Sequence, residues 1–396
     1  MKKNSGTVLF VGLISLLFWL SVSEADEIRG VTDTTIKIGV LADFTGPTPA
    51  TGMAASAAYS VFFADLNNRG GINGRKVELL FEDSKHEVAA EVAAYRKLLY
   101  QDQPLTIFSF STAAQPALFS TYEKERVPTF AQSTAHMMGV PLKKYVFSAV
   151  TDYYYTTFIL IDYILKVNKD ARIGIAYVDD AYGNEALQSA EKRLSKYGKE
   201  LVSKTVVTYA PVDTTTQVLT LKKAKADYVI VMGVGGTIAT MMRDAERQGY
   251  QAIWAGAGQS LNCIDPVNER TPDLAKNVIL VGNMALWNED CPGINKAKAA
   301  YEKYNKDPIT LYGVFTQDWV QASIVTEAIR RCGKNVTPER LRDEIEATKN
   351  FDTGGITAPI SFSPTEHIGN KSGRIYKWNE TKKEWNNVTD WLNVKD

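Results

Sequence analysis

Hydroxyl and amide side chains gather just past stretches that read as strands. Ser109, Ser111 and Thr112 close one such stretch and run into Ala113-Ala114-Gln115-Pro116. Hydroxyls and free backbone N–H groups at a helix start suit a carboxylate or another polar head. Simple helix capping would use the same residues. Ser133 and Thr134 lie past the next apolar stretch, in the same layer. Asp152-Tyr153-Tyr154-Tyr155 places three tyrosines in one turn, so at least one must look away from a core and into a cleft or solvent. Tyrosine offers a rigid apolar face with a polar tip, which suits a ligand wall.

Catalytic patterns are scarce by comparison. Gly233-Val234-Gly235-Gly236-Thr237 follows a strand and opens a helix, but Ile238 stands where a dinucleotide fingerprint needs its third glycine. His86, His136 and His367 are far apart and form no H-x-x-x-H or H-E-x-x-H motif. No G-x-S-x-G elbow occurs. The reading therefore assigns no catalytic residue, no metal and no cofactor. Lys plus Arg total 45 and Asp plus Glu total 45, so no basic excess exists to gather phosphates, and nucleic acid is not an expected partner.

The elements that must position these side chains alternate. Ile36 to Leu41 reads as a strand, and Ala54, Ala58, Phe62 and Leu66 mark one face of the helix after it. Gly70-Gly71-Ile72-Asn73-Gly74 breaks that helix, and strands follow at Val77–Phe81, Leu105–Phe110 and Val127–Ala131. The pattern then restarts at Arg172–Val178, Leu201–Val207, Asp227–Met232, Ala252–Ala255 and Val278–Val281, with helices between. Long helices are expected at Ile294–Tyr304 and Phe315–Arg331, another from Thr337-Pro338, and short strands at Ile360–Phe362 and Arg374–Trp378. Such β-α-β order implies parallel sheets with right-handed crossovers. A length of 396 residues suits two doubly wound α/β lobes.

Met1-Lys2-Lys3, the apolar run Val8–Leu20 and the small residues Ser21–Ala25 read as a secretory signal peptide over residues 1–25. The run of about 13 residues is shorter than a spanning helix requires. Cleavage after Ala25 would leave a soluble, exported protein, with no cysteine nearby to carry a lipid anchor. Oxidising surroundings allow a disulfide, and Cys263 and Cys291 bracket one irregular stretch. That bridge would contribute roughly 3 kcal/mol by loop closure.

The ordered motifs resemble the type I periplasmic solute-binding proteins of ABC importers, in the branched-chain amino acid receptor group. Ile36-Lys37-Ile38-Gly39-Val40 with Phe44-Thr45-Gly46-Pro47 is similar to the family opening. Gly70-Gly71-Ile72-Asn73-Gly74, the S-x-x-x-Q-P run from Ser111 to Pro116, Asp179-Asp180-Ala181-Tyr182-Gly183 and Phe362-Ser363-Pro364 resemble further signatures. The resemblance spans about Thr34 to Trp385. It implies two lobes with a three-crossing hinge, residues 34–150 with 286–370 and residues 151–285 with 371–396, closing on a small molecule in the periplasm. It also implies delivery to an importer permease by a monomer. Carried over by position, Ser111 resembles the ligand-carboxylate contact, supported by Thr112, Ser133 and Thr134. Thr51 falls at an aromatic wall position, Tyr182 resembles the closing aromatic, and Tyr312 a further aromatic. Tyr153 and Asp152 join the ligand set from the lobe passage. Two departures stand out: Gly256-Ala257-Gly258-Gln259 lacks the acid that pairs with an amino acid's ammonium, and Val234 replaces an aromatic. The expected ligand is an amino acid or a related carboxylate or amide, aromatic ligands included. Rival readings are a sensory module of the same fold and an exported α/β hydrolase.

Overall fold

A computed structural model describes residues 28–394 apart from positions 210, 234–235, 259–260, 262–263 and 306. The segment assigned to the signal peptide lies outside the described residues. Among those described, no helix is long and apolar enough to cross a membrane.

Strand β1 (Thr35–Ala42) is apolar along most of its length, as expected of a parallel strand covered on both faces. It pairs with β2 (Lys76–Asp83) on one side and β3 (Thr106–Ser109) on the other. Strands β4 (Thr129–Ala131) and β5 (Val146–Phe147) complete a five-stranded parallel sheet of order β2-β1-β3-β4-β5. Helix α1 (Pro49–Asn68) begins with proline at a position whose N–H would be unpaired anyway. It buries Ala54, Ala58, Phe62 and Leu66. Helices α2 (Val88–Lys97) and α3 (Gln115–Glu125) complete the first β-α units.

The second lobe is opened by α4 (Tyr153–Val167), which the sequence reading did not anticipate. Tyrosine, threonine, phenylalanine and isoleucine are modest helix formers. The helix is carried by burial of one flank and by its cap: Asp152 Oδ1 accepts the Tyr155 N–H at 2.7 Å. Strands β6 (Ile173–Val178), β7 (Ser203–Val207), β8 (Tyr228–Met232), β9 (Ile253–Gly256) and β10 (Val278–Gly282) are mutually parallel. Helices α5 (Ala181–Ser195), α6 (Thr215–Lys223), α7 (Thr237–Arg247) and α8 (Ile264–Arg270) connect them. The tail adds antiparallel strands β11 (Ser372–Asn379), β12 (Glu384–Asn387) and β13 (Leu392–Asn393), so this sheet is mixed rather than wholly parallel.

Helices α9 (Pro292–Tyr304), α10 (Tyr312–Cys332) and α11 (Pro338–Glu346) return to the first lobe. Trp319 of α10 packs edge-on to Phe62 of α1, with ring centroids 4.8 Å apart. The expected strand at Ile360–Phe362 is absent: Ile360 makes only an isolated bridge to Phe351. Cys291 is a free thiol, so the expected bridge to Cys263 is not formed, and Cys263 itself lies outside the described residues.

Three chain crossings join the lobes and hold one another. Thr151 Oγ1 donates to the Ser372 carbonyl at 2.5 Å, and Asn283 Nδ2 donates to the Thr151 carbonyl at 3.0 Å. All three residues are buried, which makes this a defined seam rather than a loose linker.

One close approach fixes how β1 leads into the first helix. A Cβ on Gly52 would sit 1.9 Å from the Asp43 carbonyl oxygen. Gly52→Ala should therefore destabilise the protein by about 2 kcal/mol or more, since neither backbone segment can yield cheaply. Urea unfolding reads this directly, and a change within about 0.5 kcal/mol, the range of ordinary surface substitutions, would contradict it.

Candidate functional site

The two sheets present the carboxyl ends of their parallel strands to one crevice, where open α/β sheets bind ligands. A chamber of about 60 Å³ lies there. The first lobe supplies Thr48 and Thr51 from the start of α1, His86 after β2, Phe110 to Thr112 after β3, and Gln132 after β4. The second lobe supplies Tyr153, Tyr182 and Tyr209, from the starts of α4 and α5 and the loop after β7. The lobes touch across the chamber: the rings of His86 and Tyr209 meet edge to face at 5.7 Å. Thr48, Thr51 and Tyr209 also border a larger vestibule of about 650 Å³ toward solvent.

On the first-lobe wall, Asp43 is fully buried and organises the turn. It accepts the Gly46 N–H at 2.6 Å, the Thr48 N–H at 2.7 Å and the Thr48 hydroxyl at 2.8 Å. The Thr48 hydroxyl has one proton and gives it to Asp43, so its 2.9 Å contact with His86 Nδ1 requires that nitrogen to donate. Burial holds His86 below the usual imidazole range, against the pull of the Asp43 and Asp180 charges. A neutral ring with Nδ1 protonated leaves Nε2 as an acceptor, and no partner for it occurs among the described residues.

The loop after β3 is occupied differently. Glu91, fully buried on α2, accepts the Phe110 N–H at 3.2 Å, the Ser111 N–H at 3.0 Å and the Ser111 hydroxyl at 2.5 Å. Gln115 Nε2 approaches the same carboxylate at 3.3 Å and donates to the Ser111 carbonyl at 2.7 Å. Burial pushes Glu91 up to about 7, with the hydrogen bonds from Ser111 and Phe110 opposing that rise. Thr112 and Ser133 share a 2.7 Å hydroxyl contact. The Gln132 side-chain amide is without a hydrogen-bond partner among the described residues, and it offers the chamber both a donor and an acceptor.

The second-lobe wall is aromatic. Tyr153 and Tyr182 meet edge to face at 4.8 Å, and the Tyr153 hydroxyl accepts the Thr134 N–H at 3.2 Å. Asp180 caps α5 by accepting the Tyr182 N–H at 2.9 Å and the Gly183 N–H at 3.1 Å, and also accepts the Tyr209 hydroxyl. Burial raises the Tyr209 phenol well above its ordinary range, with the Asp180 contact adding to the rise. Gly258 has φ +63°, and a Cβ there would lie 3.0 Å from both Met232 and Tyr153. The space beside Gly258 is thus taken by Met232, Tyr153 and Tyr182.

Of the residues singled out from sequence, Ser111, Thr112, Thr51, Tyr153 and Tyr182 line the chamber. Ser133 sits behind Thr112, and the Thr134 hydroxyl is buried without a hydrogen-bond partner. Asp152 is fully buried, and besides capping α4 it contacts His136 Nδ1 at 2.6 Å. Tyr312 lies elsewhere: it stacks on Trp287 at 4.8 Å and borders a separate pocket of about 290 Å³ that includes Trp378 and Trp385. The sequence reading missed Thr48, His86, Phe110, Gln132 and Tyr209. The rule that ligand groups follow strand ends would have found all but Thr48. Glu91 also escaped, although it lies four positions before Tyr95 on the buried face of α2, and a carboxylate on such a face is a signal.

A family model described as periplasmic binding protein matches residues 35–383. The Leu/Ile/Val-binding protein homolog 7 of Brucella abortus (strain 2308) is 24% identical over 336 residues, covering 80% of this chain and 82% of that protein. Homolog 3 of Brucella melitensis is 23% identical, covering 88% and 92%. Among solved structures, a branched-chain amino acid ABC transporter protein from Thermus thermophilus with bound valine superposes with TM-score 0.83 at 22% identity, covering 92% of this chain and 98% of that one. A fatty acid ABC transporter substrate-binding protein from Thermomonospora curvata gives TM-score 0.81 at 24% identity, covering 93% and 94%.

Proposed function

We propose that this chain, which belongs to the periplasmic binding protein family, is an exported receptor that traps a small molecule between its lobes and hands it unaltered to an ABC importer. The observation that carries the reading is the chamber itself. Its walls come from both lobes, beyond the carboxyl ends of both sheets, with the three crossings packed together at Thr151, Asn283 and Ser372. A ligand bound there favours the closed arrangement by its differential contacts. The lobes divide at these crossings, as residues 34–150 with 286–370 and residues 151–285 with 371–396.

The ligand is small and amphiphilic. Phe110, Tyr153 and Tyr182 give the chamber apolar faces, while Thr51, Gln132 and the neutral His86 give it polar points. Among its described lining residues none carries a carboxylate, an ammonium or a guanidinium. An α-amino acid would bring two charges into a space without a charged partner on its walls, a costly transfer. Relatives named for leucine, isoleucine and valine and a neighbour named for fatty acid share an apolar ligand portion, which the aromatic wall suits here.

Mass spectrometry of the small molecules released on denaturing the purified protein tests the reading, followed by thermal-shift screening of amino acids, amides and aliphatic and aromatic acids. One compound near equimolar amount, or a saturable shift with one chemical class, is the expected result. Chemical turnover of that compound on long incubation would overturn the receptor assignment in favour of an enzyme.

A further inference from the structure

We infer that Glu91, which is not itself among the residues lining the chamber, sets the ligand polarity of the site by turning Ser111 into an acceptor, so that the preferred head group is an N–H donor such as a carboxamide rather than a carboxylate. The inference rests on the receptor reading above and deepens it.

On the loop after β3, the Ser111 hydroxyl and the Phe110 and Ser111 N–H groups could hold a ligand carboxylate, and these three are already used. The Glu91 carboxylate takes the Phe110 N–H at 3.2 Å, the Ser111 N–H at 3.0 Å and the Ser111 hydroxyl at 2.5 Å. The Ala114 N–H approaches Ser111 Oγ at 3.4 Å and occupies one lone pair. A hydroxyl that has given its proton away offers only its remaining lone pair to the chamber. Once Glu91 is ionised, above about pH 7, an incoming carboxylate would meet that lone pair with an internal negative charge directly behind it, whereas an amide N–H would complete the set. Gln115 keeps the arrangement in place: its Nε2 spans the Ser111 carbonyl at 2.7 Å and Glu91 at 3.3 Å, while its Oε1 accepts the Tyr122 hydroxyl at 2.7 Å. Glu91 therefore acts through Ser111 as a positioning residue. The same chamber offers the matching acceptor for a second amide proton in His86 Nε2, and the Gln132 amide can donate to the ligand carbonyl.

Glu91→Gln reverses the polarity. A glutamine can accept the backbone N–H groups through its oxygen and donate to Ser111 Oγ through its nitrogen, which frees the Ser111 proton to point into the chamber. The probes are isovaleramide and isovalerate, equal in shape and different only in head group, titrated calorimetrically at about pH 8.5, where Glu91 is ionised. The native protein should bind the amide at least tenfold more tightly than the acid. In Glu91→Gln that ratio should fall at least tenfold. Ser111→Ala, which leaves Glu91 in place, should lose amide affinity without gaining acid affinity, and it supplies the test if the glutamine variant does not fold. A native protein that binds the acid as well as the amide, or a ratio unmoved in Glu91→Gln, overturns the inference and leaves the receptor reading standing. Binding of neither probe overturns the inference too. If no molecule co-purifies and none in the screen shifts the melting point, the receptor reading falls as well.

Discussion

Stability should fall as pH rises from about 5.5 to about 8.5, by about 3 kcal/mol or more. Three carboxyls carry this expectation, two of them on buried residues and one, Glu185, on a half-buried one. Burial raises Asp318 to about 8, and Tyr59, whose hydroxyl lies 3.0 Å from Asp318 Oδ1, only partly opposes the rise. Burial raises Glu185 to about 8, with the Asp152 charge adding to it. Burial likewise raises Glu91 to about 7. In the unfolded chain all three titrate near pH 4. Between the unfolded and folded values the native state holds protons that the unfolded state has released. The unfolded state then binds fewer protons, so stability declines with pH across that window and is fullest below it. Asp318 shows the geometry of a neutral acid: its Oδ2 is buried with no hydrogen-bond partner, a costly place for a charge. Asp318→Asn removes one of the three terms and should flatten the decline. Urea unfolding at three pH values gives the answer, and stability that holds level or climbs toward pH 8.5 would refute the assignment.

Truncating Tyr182 should cost ligand affinity about 30-fold or more, the scale of a buried aromatic anchor. Its ring closes the second-lobe wall, edge-on to Tyr153 at 4.8 Å and nearly buried at 4% exposure. Asp180 holds it by capping the first turn of α5. Tyr182→Ala opens that wall while leaving the cap intact, because the cap uses backbone N–H groups. Calorimetry with the co-purifying molecule measures the loss. Tyr312→Ala is the comparison, since Tyr312 stacks on Trp287 outside the chamber, and it should change affinity less than twofold. Equal losses in the two variants would place the ligand somewhere other than this chamber.

The strands were legible because their chemistry is local. Ile36, Ile38 and Val40 alternate with Lys37 and Gly39 at the two-residue period of a strand, and the helix after it shows its buried face every fourth residue. The turn from Asp179 to Gly183 was legible through its resemblance to a family motif, whereas the cap that Asp180 makes on α5 emerged only from the structure. Long-range pairing was not legible. Glu91 and Ser111 lie 20 positions apart, and nothing local in either segment shows that the carboxylate would claim the serine's proton. Helix α4 was hidden because its residues favour strands in isolation, and tertiary burial decides the outcome. The strand expected at Ile360–Phe362 failed the other way: its residues favour a strand, but only Phe351 lies alongside Ile360 to pair with it. Free Cys291 shows that bracketing one irregular stretch does not by itself make a bridge.

Small-angle scattering of the purified protein, first stripped of bound molecules and then saturated with the compound that co-purifies, probes capture between hinged lobes most directly. The stripped protein should show a larger radius of gyration, and saturation should shrink it to the value calculated for the arrangement in which His86 meets Tyr209. An unchanged radius at full occupancy would contradict capture by closure.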